Sequence, residues 1–386
     1  MTIHLTIGGS TAERTLACPG WINASKNVHV RSTTSPAAAA GSMHHMIMEK
    51  CLLQGKTPSA FIGRVYNERN IVRAFEEDDR ELSEIAYAAV NKLFDKYDIE
   101  DFFIEPFVQL EVGVIGGSID VLALSSGLKT VLVIDYKFGR KKIRAEDNDQ
   151  LKLYTVSAMA DPTMSDVFKN VETIRGIIIQ PQSAGIISET RFSREELAEF
   201  STAIYAAAAL SETADAPVIP GKHCTFCPAA AFCPARRAVA ISATLLAAKS
   251  SNELSEAAAH VEEIEDWVKS VKEELYMQLN RGVVIDGWKI VDKRPTNRWS
   301  DAEQMDAAEA EMRKKKFRVR DIRVNKLISA PVALKLAQKM GKNIDLEKYI
   351  TKSSPGTTLA AVGDDRPAVI ITDVQGSLVD LMNSKT

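Results

Sequence analysis

Apolar and polar positions alternate with a period of two in some stretches of this chain and near 3.6 in others. Residues 116–124 read Gly-Gly-Ser-Ile-Asp120-Val-Leu-Ala-Leu, a Ser-Ser-Gly turn follows, and residues 130–137 read Thr-Val-Leu-Val-Ile-Asp135-Tyr-Lys137. Two β-branched apolar runs around a Gly-containing turn predict a β-hairpin. Strand side chains alternate faces, so Asp135 and Lys137 share one face and Tyr136 takes the other. Residues 107–114 predict another strand, with Val108, Leu110, Val112 and Val114 on one side, and residues 173–180 and 186–192 predict two more. A capping box at Ser10-Thr-Ala-Glu13 predicts a short helix, and helical spacing predicts longer ones over 35–53, 79–97, 148–160 and 194–210. Three strands in a meander, a helix and a crossover strand predict an α/β fold, a mixed β-sheet flanked by helices.

The last third reads differently. Val261, Ile264, Val268, Val271 and Leu275 form an amphipathic stripe on a helix ending near residue 279. Residues 283–291, interrupted by Asp286-Gly287, predict a hairpin. Trp299-Ser300-Asp301 opens a helix that leads into a basic run, another helix covers 331–340, and a turn-rich tail includes Ser353-Ser-Pro-Gly356. The expected organisation is a first domain over 1–240 and a C-terminal accessory region over 241–386, to which the sequence assigns no role.

Acids within apolar strands are costly to bury unless they are paired or bind metal. Asp120 opens one arm of the hairpin, and Asp135 and Lys137 end the other. Carboxylates hold Mg²⁺ or Mn²⁺ with open water positions, and such a site hydrolyses phosphodiesters with a lysine offsetting transition-state charge. Gln150 and Tyr154 lie one turn apart on the same face of the next helix. The plainer reading is a structural Asp135–Lys137 ion pair at a sheet edge.

Composition narrows this only locally. The 386 residues are 45% hydrophobic and 26% charged with a net charge of −3, so no global basic field marks a nucleic-acid binder. The run Arg140-Lys141-Lys142-Ile-Arg144 behind Lys137, and Arg313 to Arg320 further on, are either solvated faces or phosphate contacts. The N-terminal residues lack a signal-peptide pattern and no apolar run is long enough to span a bilayer, so a cytoplasmic protein is expected.

Cys224, Cys227 and Cys233 fall within ten residues, which in a reducing compartment argues for metal. Cys18 or His223 completes the set, as an iron–sulfur cluster or as a three-Cys, one-His zinc site. Cys51 reads as a small core hydrophobe.

Together these residues resemble the PD-(D/E)XK nuclease superfamily in its RecB-like iron–sulfur branch, nearest to phage-encoded relatives of the CRISPR-associated exonucleases. The likeness spans roughly residues 10–240. An acid on one strand, an acid-x-Lys on the next and a Gln-xxx-Tyr on the following helix match Asp120, Asp135-Tyr-Lys137 and Gln150-Leu-Lys-Leu-Tyr154. Gly41-Ser42-Met43-His44-His45 matches that branch's metal-binding histidine motif with His45 in register. Cys18, Cys224, Cys227 and Cys233 match its 4Fe–4S ligands. The resemblance implies a restriction-endonuclease-like sheet and a Mg²⁺- or Mn²⁺-dependent deoxyribonuclease, an exonuclease on single-stranded DNA or DNA ends, active in phage recombination or DNA processing. With that activity, the basic run Arg140, Lys141, Lys142 and Arg144 is expected to contact DNA, and a recombination or single-strand-binding protein is an expected partner. The alternative is a non-catalytic DNA-binding accessory protein that retains the fold and a structural cluster.

Overall fold

The apolar alternation around Asp135 resolves into a five-stranded sheet buried on both faces. A computed structural model describes residues 5–26, 28, 36–68, 71–245, 255, 258, 260–322, 327–353 and 356–369. Ser35, Ser354 and Pro355, which the sequence places in a helix start and a tail turn, lie outside the described residues. The chain divides into two compact units, Met1–Trp267 and Val268–Thr386.

In chain order, the first unit contains β1 (Ile7–Gly8), α1 (Ala12–Ala17), α2 (Trp21–Ser25), α3 (Pro36–Gln54), β2 (Val65–Glu68), β3 (Ile71–Ala74), α4 (Glu77–Tyr97) and β4 (Ile99–Ile104). There follow β5 (Phe107–Glu111), β6 (Ile115–Ser118), β7 (Val121–Ser125), β8 (Thr130–Tyr136), α5 (Asp149–Ala160), β9 (Thr173–Ile179), β10 (Ile187–Phe192), α6 (Arg194–Ser211) and α7 (Pro234–Leu245). The main sheet has the order β10-β9-β8-β7-β4, with β8 and β9 parallel across the α5 crossover and the other pairs antiparallel. This is the predicted mixed sheet flanked by helices.

Alternation sorts its residues. Val131 and Val133 face α5 and α6, packing with Leu151, Val156, Leu197 and Ile204. Leu132, Ile134 and Tyr136 face α4 and α3, against Ala86, Val90, Leu93 and Met48. Asp135 has the parity of Val133 and therefore turns toward α5.

The meander differs from expectation. The third strand beside β7 is β4, whereas residues 107–111 pair with β6 in a separate three-stranded sheet with β1. The sequence Ile99-Glu-Asp-Phe-Phe-Ile carries acids that mask its apolar face, so periodicity alone favoured residues 107–114. Val112 and Val114 do not extend the strand; a turn closes with Val114 N–H donating to Glu111 O at 3.1 Å, and Val112 is 84% exposed. The expected box at Ser10 is also replaced: Thr11 Oγ1 accepts from Gly8 N–H at 2.9 Å.

The second unit takes in the end of α8 (Val261–Asn280), which spans the division, and then β11 (Trp288–Asp292), β12 (Thr296–Trp299), α9 (Ala302–Lys314), α10 (Val319–Ile322), α11 (Ala330–Lys339), β13 (Ile350–Ser353) and β14 (Thr357–Ala361). Asp301 caps α9 by accepting from Gln304 N–H. The helices close over Met312, Phe317, Ile322, Leu327, Ala333 and Leu346. The hairpin expected over 283–291 does not form. Gly287, at φ 81°, turns the chain into a single strand β11 that pairs antiparallel with β14, within the supposed tail, and Val284 is left exposed. No residue of α8 is fully buried, so its apolar stripe is only half covered. Among the described residues, no helix is long and apolar enough to cross a membrane.

Candidate active site

The β7–β8 hairpin brings its acids together as its register requires. Val121 pairs with Ile134, which sets Asp120 opposite the end of β8, and Tyr136 N–H donates to Asp120 Oδ2 at 2.6 Å. Asp120 Oδ1 lies 3.0 Å from Nδ1 of His45, delivered by α3. Asp135, 2% exposed, is held from two sides: Lys137 Nζ lies 2.8 Å from Oδ2, and Gln150 Nε2 donates to Oδ1 at 2.8 Å. Gln150 also accepts from Lys137 Nζ at 2.9 Å and donates to Tyr154 Oη at 3.1 Å. One amide thus fixes the acid, the lysine and the tyrosine. The Tyr154 ring lies against Gly9, where a Cβ would come within 2.6 Å of it, so only glycine fits there.

Glu105 was not singled out by sequence. It follows β4, and its carboxylate lies with the donor atoms of His45 and Asp120 in a group whose members are within 4.8 Å of one another. Its backbone is left-handed at φ 51° immediately before Pro106, a conformation doubly disfavoured, and its N–H donates to Asp120 O at 3.1 Å. Such strain recurs where a side chain must be aimed. The available signal was the acid-Pro step closing a run of apolar residues.

The charges explain one another. Burial, and then the negative charge of Asp120, raise the Glu105 carboxyl to about 7. Burial would lower His45, but the charge and hydrogen bond of Asp120 outweigh it and raise the imidazole to about 9. Asp135 is pushed above the usual carboxylate range by burial, opposed by Lys137 and reinforced by Asp120. Two or three carboxylates that repel one another, with an imidazole beside them, form a donor set that fits a divalent metal.

The adjacent His44 has a different task. It is 3% exposed, stacks on Phe138 with ring centroids 4.5 Å apart, and meets Ser83 Oγ through Nδ1 at 2.9 Å. Burial lowers it to about 4 from 6.5. Because the folded value is the lower one, the unfolded chain takes up the proton first. The stability is complete above pH 6.5 and is lost as pH falls toward 4. Wild type is expected to lose about 3 kcal/mol more than His44→Gln over that window. Denaturant titrations at stepped pH check this, and parallel acid slopes would refute it.

The basic loop behind Lys137 is clamped by Gln180, which donates to the carbonyls of Gly139 and Lys141 and accepts from Ile143 N–H. Lys142 and Arg144 line an open groove together with Lys137 and Gln150. Arg140 instead reaches Gln182 Oε1 at 3.2 Å, and Lys141 is exposed without lining that groove.

The cysteines form a second centre. Cys18, Cys224, Cys227 and Cys233 line one small cavity, and all are free thiols. Main-chain N–H groups point at two sulfurs, Ile219 at Cys18 (3.3 Å) and Gly221 at Cys224 (3.4 Å). Arg14 and Arg236, 8% and 2% exposed, line the same cavity and no carboxylate does, so the lining matches an anionic centre. Arg14 donates to Phe226 O at 2.7 Å and covers the Trp21 ring at 4.9 Å. His223 also lines the cavity, with Nε2 2.9 Å from Ile219 O. Cys51 is fully buried among Met43, Ile47, Phe61 and Phe75, and burial pushes its thiol up to about 12.

Two solved structures show partial overlap. A "Putative exonuclease" from Eubacterium rectale is 13% identical over 52% of this chain and 76% of its own, with a TM-score of 0.31. Protein VC1899 from Vibrio cholerae is 12% identical over 54% of this chain and 56% of its own, with a TM-score of 0.19. Overlaps this low establish neither fold nor activity for this chain. Residues 4–367, nearly its whole length, match the family described as "Protein of unknown function (DUF2800)", and the chain belongs to that family.

Proposed function

We propose that this protein is a metal-dependent deoxyribonuclease of the PD-(D/E)XK type, acting on single-stranded DNA or DNA ends. The observation that carries the reading is the convergence of Asp120, Asp135 and Lys137 from one hairpin with His45 and Glu105. His45, Glu105 and Asp120, with Asp135 beside them, would hold Mg²⁺ or Mn²⁺, which when bound polarises a phosphate and acidifies water. Lys137 is placed to orient a water and to offset charge on the phosphate. Gln150 keeps Lys137 and Asp135 in register, and the groove lined by Lys142 and Arg144 offers phosphate contacts beside them.

The four cysteines are read as ligands of a 4Fe–4S cluster with a structural role. The acid-free lining with Arg14 and Arg236 supports an anionic centre of this kind.

The test is cleavage of end-labelled single- and double-stranded DNA by purified protein with either metal. Because an imidazole among carboxylates is a softer donor set, Mn²⁺ should outperform Mg²⁺. Glu105→Gln should raise the Mn²⁺ concentration needed for half-maximal rate about 10- to 100-fold. Intact substrates of both kinds with both metals would reject the reading.

A further inference from the structure

The two units carry opposite charge. Residues 268–386 hold 22 Lys and Arg against 16 Asp and Glu, a net of +6, while residues 1–267 hold 26 against 35, a net of −9. The whole-chain value hides this asymmetry, which is a signature of a nucleic-acid-binding part.

Within the positive unit, cations cluster where α9 ends. Lys314, Lys315 and Lys316 are exposed, and none forms an ion pair within 4 Å with a described residue. The helix closes with Phe317 N–H donating to Met312 O at 3.1 Å and Lys316 N–H to Arg313 O at 2.9 Å. That arrangement places Lys316 at φ 65°, the position where glycine is the unstrained choice. The turn gains nothing from a lysine there. On α11, Lys335 and Lys339 are also exposed, one turn apart, while Ala333 and Ala337 bury.

We propose that the second unit binds the phosphate backbone of duplex DNA through Lys314, Lys315 and Lys316. Lysines on flexible stems suit phosphates better than base edges. Phe317, the aromatic residue in this turn, is 4% exposed, so the turn lacks the stacking surface that single-strand binders use. A basic unit in the same chain holds polyanionic DNA at high local concentration near a unit whose net charge repels it. The proposal goes beyond the nuclease reading, because binding by this unit is independent of cleavage by the other.

The experiment is fluorescence anisotropy of full-length protein on a short blunt duplex and on one of its strands, with EDTA present so that no cleavage interferes. Lys314→Ser/Lys315→Ser/Lys316→Ser should weaken duplex binding about 10-fold or more at ~100 mM salt and flatten the log–log salt slope by about 2.7. A control with the same charge change, Lys56→Ser/Lys129→Ser/Lys169→Ser, should stay within about 2-fold of wild type. Lys316→Gly separates binding from folding: it should raise Tm by relieving the left-handed backbone and still weaken the duplex. A purely structural lysine would move Tm alone. The proposal falls if the triple variant binds normally, if the control loses as much, or if single-strand affinity drops as far as duplex affinity.

Discussion

Asp120→Ala is expected to lower DNA cleavage by about 10³-fold or more while leaving the far-ultraviolet spectrum unchanged, and Lys137→Ala to do the same. The two substitutions act differently. Removing Asp120 takes away a metal-facing oxygen, the partner of His45 and the acceptor of Tyr136 N–H. Its imidazole neighbour then loses the charge that holds it near 9 and returns toward the value set by burial. Removing Lys137 leaves Asp135 buried beside Asp120 with Gln150 as its side-chain partner, and the carboxyl shifts further toward its neutral form. Both losses fall on the rate with saturating metal, whereas Glu105→Gln acts mainly on metal demand. Single-turnover rates across a Mn²⁺ titration separate these cases. Near wild-type rates for either alanine variant would remove the hairpin from the chemistry.

The cysteine centre gives the second large effect. Protein purified without oxygen should be brown, with about four irons and four sulfides per chain. Serine at Cys18, Cys224, Cys227 or Cys233 should bleach it and lower Tm. Cys18 and the three later cysteines flank the main sheet in sequence, so their shared centre closes a long loop. That closure is reinforced by Gly20 N–H to Pro217 O at 2.9 Å and Asn23 Nδ2 to Thr213 O at 2.7 Å. Arg14→Gln should keep the iron and lower the reduction potential, since a positive charge that favours the reduced form is gone. Cys51→Ser should retain the colour. Colourless protein with one zinc would overturn the cluster and make His223 a ligand, leaving the hairpin assignment intact.

Much of the site was legible because it is local. Strand parity alone assigns Asp135 and Lys137 to one face and Tyr136 to the other, and helical spacing puts Gln150 and Tyr154 together; the structure places them so. Of the two neighbouring histidines, helix geometry allows one to reach a given partner, and it is His45 that faces Asp120 while His44 packs on Phe138. Cys224, Cys227 and Cys233 were identifiable by residue type and close spacing, whereas the residues alone left Cys18 and His223 as rivals for the fourth place.

What the sequence could not decide are contacts between elements distant in the chain. The third strand of the meander is β4, since Ile99 and Phe102 find cover on the α4 side and Phe103 on the other, cover that its interspersed acids conceal in a hydropathy pattern. Glu105 joins His45 and Asp120 because β4 pairs with β7, and Gln180 clamps the basic loop because β9 lies parallel to β8. Residues 283–291 fail to fold on themselves because β14, more than sixty residues away by numbering, offers β11 a complete antiparallel register from Trp288↔Ala361 to Asp292↔Thr357. Periodicity determines which face of an element is apolar; which partner covers that face depends on packing and pairing across the whole unit, and that only the tertiary structure supplies.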